Sequence, residues 1–156
     1  MLDNVSILVV SFGSFGSFGG HELKHVVQLR YEILRKPLGL PASSAVFAGD
    51  EFDSTLHILA KSNGGLIGCA TILPNDLEKR IQLRGMAVAL DKQGLGIGKR
   101  MLDEAKAIAK ERCQLLWCNA RFSAIGFYES QGLVQCGPFF EIPGIGEHVA
   151  MEYQSI

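Results

Sequence analysis

Along the chain the apolar positions switch between two periods, and the switches mark its elements. Residues 5–10, VSILVV, are β-branched and apolar, which predicts a strand. Residues 21–36, HELKHVVQLRYEILRK, place Leu23, Val26, Val27, Leu29, Ile33 and Leu34 at a spacing that predicts a helix. TLHILAK and GLIGCATIL flank Ser62-Asn63-Gly64-Gly65, the pattern of two strands joined by a tight turn. IQLRGMAVAL, residues 81–90, predicts a further strand. Residues 98–112 repeat apolar side chains at Met101, Leu102, Ala105, Ile108 and Ala109, one face of a helix. QLLWCNA reads as a short buried strand, and SAIGFYESQG as a helix stopped by Gly132. LVQCGPFF and EHVAMEY add two strands, so the expected order is β-α-β-β-β-α-β-α-β-β.

Two stretches stay outside this pattern. Residues 37–54 carry Pro37, Gly39, Pro41 and Gly49 and predict irregular chain or a short helix. Residues 11–20, SFGSFGSFGG, repeat S-F-G three times. Glycine at every third position opposes helix and strand alike, so a flexible loop is expected.

Composition narrows the class. At 156 residues the chain has the length of one domain, 1–156, with enough surface to bury a full core. A net charge of -1 without a basic block argues against nucleic acid as a partner and provides no polybasic membrane signal. No apolar run reaches the length of a membrane span. Cys69, Cys113, Cys118 and Cys136 form no C-x-x-C pair, so no zinc ribbon is written here. They are expected as buried thiols, which together with the missing signal-peptide flanks predicts a cytoplasmic protein.

Candidate chemistry centres on DKQGLGIGKRMLDEA, residues 91–105, a glycine-rich turn leading into a helix. A P-loop would need a hydroxyl where Arg100 stands and a glycine where Gln93 stands. A dinucleotide fingerprint would need different glycine spacing near the first strand. A plain connector needs no ligand. The remaining reading is a cradle whose small residues let backbone N–H groups approach a pyrophosphate at the helix N-terminus.

MAVALDKQGLGIGKRML, with Gln93, Gly96 and Gly98, resembles the acyl-CoA-binding pattern Q/R-x-x-G-x-G/A of the GNAT superfamily of N-acetyltransferases. NARFSAIGFYESQGL resembles the helix that follows in that family, with Ala124, Phe127 and Tyr128 at matching places. LRYEILRKP, QLRGMA, LLWCNAR and GIGEHVAM are similar to the glyphosate N-acetyltransferase branch. The S-F-G stretch and GPFFEIPG depart from that branch.

The resemblance implies an α/β (α+β) fold with a mixed central sheet of about seven strands and flanking helices. The strands at 81–90 and 114–119 would splay, with acetyl-CoA in the gap. Its contacts would be Met86, Ala87 and Val88 on the strand and Gln93, Gly94, Leu95, Gly96, Ile97, Gly98 and Lys99 in the turn. Arg35, Arg84 and Arg121 would clamp a small anionic amine, with His148 as base and Tyr128 as acid. No metal is implied, and a homodimer is common in the family. Taken singly, these residues have plainer readings. His148 suits a core or surface strand position, Tyr128 a packed helix, and Met86 and Val88 the core. Arg84 interrupts an apolar strand and needs an anionic partner, which Glu78 or Asp91 would also supply.

Two other functions compete. HELKH matches H-E-x-x-H, which on a helix would make His21 and His25 zinc ligands and Glu22 a general base, a zinc hydrolase. No third ligand follows at the expected spacing, and Glu22 equally suits a helix N-terminus. The chain could also be an acyl-CoA-binding module without catalysis.

Overall fold

The computed structural model describes residues 4–12 and 20–153. The S-F-G repeat falls largely outside them. Eight strands share one sheet: β1 (Val5–Ser11), β2 (Leu56–Ser62), β3 (Gly65–Asn75), β4 (Arg80–Val88), β5 (Leu115–Arg121), β6 (Val134–Gln135), β7 (Phe140–Ile142) and β8 (Gly146–Tyr153). Their order is β1-β2-β3-β4-β5-β8-β6, with β7 on the same edge of β8 as β6. The helices are α1 (Gly20–Arg30), α2 (Ile97–Arg112) and α3 (Ile125–Ser130). The expected order holds up to the last segment. There LVQCGPFF breaks into β6 and β7, because Gly137 and Pro138 interrupt the ladder between them.

The sheet is covered on both faces. Ile58, Ala60, Ile72, Leu83 and Leu116 pack with the predicted face of α2, Met101, Leu102, Ala105, Ile108 and Ala109. On the opposite face Leu59, Cys69 and Ala87 meet Leu23, Val26 and Leu29 of α1. A strand buried on both sides reads as a continuous apolar run, as the middle of β2 and of β3 does. No described helix is long and apolar enough to cross a membrane.

Three features of these elements matter for the site. The helix expected over 21–36 is regular only to Arg30, then winds as a π-turn over Tyr31–Arg35 and a 3-10 turn over Lys36–Leu38, where Pro37 ends it. The parallel pairing of β4 with β5 stops at Leu83 and Cys118, so from Arg84 to Val88 the β5-facing edge of β4 has no strand partner. And β4 bulges against β3 between the pairs Thr71–Arg84 and Cys69–Ala87, with Gly85 at φ +59. Trp117, in the strand that QLLWCNA predicts as buried, is only partly buried, with the Arg80 guanidinium 4.5 Å over its ring. The cysteines also divide: Cys69 and Cys118 are buried, whereas Cys113 and Cys136 are exposed at a helix end and beside a two-residue strand.

Candidate active site

Two cavities meet where β4 and β5 part. The smaller, about 220 Å³, lies against β4, β5 and β8. Arg35, Arg84, Arg121, Tyr128 and His148 all line it, although they come from five separate segments. The larger, about 570 Å³, runs from the free edge of β4 to the start of α2. Met86, Ala87, Val88, Gln93, Gly94, Gly96, Ile97, Gly98 and Lys99 line it. Leu95 lines neither cavity and is 40% exposed, so its side chain takes no part in either wall. Met86, Ala124 and Tyr128 line both cavities and form their shared wall.

The small cavity is strongly cationic. No carboxylate is among its lining residues. The Arg35, Arg84 and Arg121 pKa values all lie below the usual arginine value, in each case first through burial. The charges of Arg121, Arg30 and Arg84 lower Arg35 further. The π-turn organises two of them. At the end of this helix the Leu34 carbonyl accepts from Arg121 Nη2 at 2.6 Å and from Arg35 Nη1 at 3.3 Å. Arg84 pairs with neither Glu78 nor Asp91; its guanidinium lies 4.7 Å over the Phe47 ring.

His148 stands directly across from Arg121 on the β5–β8 ladder and is 4% exposed. Its Nδ1 lies 2.7 Å from the Gly146 carbonyl oxygen. A carbonyl only accepts, so Nδ1 carries a proton, which in the neutral ring leaves the lone pair on Nε2. Tyr128 is buried at the shared wall, and burial pushes its phenol pKa up. Its hydroxyl has no hydrogen-bond partner among the described residues.

The large cavity is built differently. Gly96, at φ +85, caps α2 in the left-handed region, where other residues are strained. The first bond inside this helix end is Arg100 N–H to the Gly96 carbonyl at 3.1 Å. The N–H groups of Gly94 to Lys99 therefore have no partner among the described residues. Gln93 braces the turn instead, its Nε2 donating to the Val88 carbonyl at 2.9 Å. Lys99 pairs with Asp103 at 2.9 Å, and Arg100 donates to the Val5 carbonyl at 3.1 Å. Free N–H groups at a helix start, beside an unpaired strand edge, fit a phosphate-bearing cosubstrate with an amide-containing arm.

Sequence reasoning missed Arg30, Phe47 and Asp50. Arg30 is fully buried and forks onto the Asp50 carboxylate at 2.7 and 2.8 Å, with a third contact to Thr71 Oγ1 at 2.6 Å. Burial alone would raise the Asp50 pKa, but Arg30 outweighs it and holds the carboxyl below its ordinary value. His57 joins the same network through Thr71 and the Asp50 carbonyl, both at 3.0 Å. The available signal was an arginine inside an apolar helical stripe, which requires a buried counter-charge.

The HELKH turn leads elsewhere. Glu22 pairs with Lys61 at 3.5 Å, His25 is exposed, and neither lines either of these two cavities. The His21 side chain lies outside the described residues. Among the described residues no group of three or more His, Cys, Asp or Glu side chains is placed to hold a metal.

Known proteins share both the sequence and the fold. The N-acetyltransferase YitI of Bacillus subtilis, itself uncharacterized, is 28% identical over 130 residues, 80% of this chain and 86% of that protein. Escherichia coli ElaA superposes with a TM-score of 0.83 at 18% identity, over 96% of this chain and 99% of that one. A GNAT family acetyltransferase from Elizabethkingia anophelis, solved with acetyl-CoA bound, superposes with a TM-score of 0.66 at 19% identity, over 98% and 99%. At such identities these structures bear on the fold alone. The sequence pattern of the acetyltransferase (GNAT) family matches residues 23–133, most of the chain. The chain thus belongs to the GNAT family and is an N-acetyltransferase with acetyl-CoA as its cosubstrate.

Proposed function

We propose that this enzyme acetylates a small anionic amine of the amino acid or aminophosphonate class, as its resemblance to the glyphosate N-acetyltransferase branch suggests. One observation carries the reading. Three guanidinium groups line a cavity of about 220 Å³ that has no carboxylate among its lining residues. Such a cluster is costly without an anion, and the arginine fork suits carboxylate or phosphonate.

Acetyl-CoA supplies the acetyl group as a thioester. The N–H groups of Gly94 to Lys99 would hold its pyrophosphate, and the free edge of Arg84–Val88 its amide arm. Arg35, Arg84 and Arg121 orient the acceptor's anionic group. His148 Nε2 takes the proton that an ammonium must lose before its nitrogen can attack. The amine nitrogen then attacks the thioester carbonyl, and the C–S bond breaks. Tyr128, protonated at neutral pH, can deliver its own phenol proton across the shared wall to the departing CoA thiolate. Free thiols throughout the described cysteines suit a reducing cytoplasm.

Acetyl-CoA-dependent turnover of an amine panel tests the acceptor class. Glyphosate and aspartate should exceed uncharged amines and polyamines in kcat/KM by about tenfold or more. Preference for the polyamines would overturn the reading.

A further inference from the structure

We infer that Phe47 is a positioning residue for the acceptor, a platform that holds guanidinium groups together where charge alone would separate them. This rests on the anionic-acceptor reading above. The guanidinium carbons of Arg30, Arg84 and Arg35 stand 4.0, 4.7 and 5.4 Å from the centroid of this one ring. Phe47 also lines the acceptor cavity.

Two of these cations have other anchors. Arg30 is forked onto Asp50, and Arg35 donates to the Ser44 carbonyl at 3.2 Å and to that of Leu34. The Arg84 guanidinium makes no hydrogen bond or ion pair among the described residues, so the ring is its orienting contact. The negative face of an aromatic ring attracts a cation without occupying its N–H donors. A carboxylate would hold Arg84 more firmly, but it would consume the donors an anionic acceptor needs. The ring leaves all five of them available.

The ring is itself fixed. The Phe47 N–H donates to Asp50 Oδ2 at 2.9 Å, and the Asp50 N–H donates to the Phe47 carbonyl at 3.2 Å. One buried acid therefore sets both the ring and Arg30. Gly85 supplies the space. A Cβ there would lie 2.7 Å from Phe47 Cε2 and 2.8 Å from Arg30 Nε. The β4 bulge that turns Arg84 toward the cavity thus also admits the ring beside it.

The test compares wild type with Phe47→Leu, which keeps an apolar bulk without the aromatic face, and Phe47→Tyr, which keeps the face. Glyphosate is the probe acceptor, malonate the unreactive probe anion, and acetyl-CoA affinity and Tm are measured alongside. Phe47→Leu should raise the glyphosate KM and malonate Kd by about tenfold, with kcat and acetyl-CoA Kd within about twofold. Phe47→Tyr should stay within about threefold of wild type throughout. Wild-type KM and malonate Kd in the Leu variant would overturn the proposal. So would a parallel loss of KM, kcat, acetyl-CoA affinity and Tm, or equal damage in the Tyr variant. A wild-type enzyme that binds neither glyphosate nor malonate would sink the anionic-acceptor reading and this one with it, a result distinct from failure at Phe47 alone.

Discussion

The two cavities are built by opposite means. The larger is formed mainly by residues 86–99, with backbone N–H groups at a glycine turn and an unpaired strand edge. The smaller draws charged and titratable side chains from positions 35, 84, 121, 128 and 148. A cosubstrate shared by a whole family can be held by backbone, which tolerates side-chain change. An acceptor is chosen by side chains, which vary without disturbing the cradle. The two should therefore fail independently under mutation, and only the shared wall should couple them.

The sharpest break is at His148. Replacing it with Ala should lower kcat by about 10²–10⁴-fold while calorimetry shows acetyl-CoA binding unchanged. Equal kcat at neutral pH would remove His148 from the role of base. Next in size is the scaffold behind the acceptor side. Asp50→Asn strips the counter-charge from fully buried Arg30 and should cost about 3–5 kcal/mol, read by denaturant unfolding. A loss under about 1 kcal/mol would show that water or a neighbour compensates Arg30. On the cosubstrate side, Gly96→Val forces a β-branched residue to φ +85 and should weaken acetyl-CoA by about tenfold or more. Malonate affinity should stay put; a joint loss would show that the cavities are one mechanical unit.

The smallest effect is on pH dependence. Buried His57 has its pKa below the ordinary 6.5, first through burial. The unfolded chain therefore takes up this proton at a higher pH than the folded protein. Its contribution to stability is present above about pH 6.5 and is lost as the pH falls through the lower folded value. Tm should drop between pH 7.5 and 5.5, and His57→Gln should flatten that slope while lowering stability at pH 7.5. An unchanged slope would take His57 out of the acid response.

The two regions were also unequally legible. The larger cavity's turn lies in one short stretch, so Gln93, Gly96 and Gly98 mark it locally, and of the named turn residues 93–99 all but Leu95 line that cavity. That Arg35, Arg84 and Arg121 share a cavity was suggested only by the resemblance, since Arg35 and Arg121 alone look like any solvated cation. Phe47 and Asp50 went unnoticed because they sit in the irregular residues 37–54, where no periodicity marks which side chains turn inward.

What the chain determined by itself was the periodic part. The inward stripe of α2, the apolar runs of β2 and β3, the Asn63-Gly64 turn and the glycine cradle all follow from interactions between near neighbours. Only the tertiary structure decided that β4 and β5 pair for four residues and then part. It alone brought five distant side chains to one cavity, placed three arginines around one ring, and gave buried Arg30 its acid. These are contacts between segments far apart in sequence, and their energy depends on desolvation and geometry that no local pattern encodes.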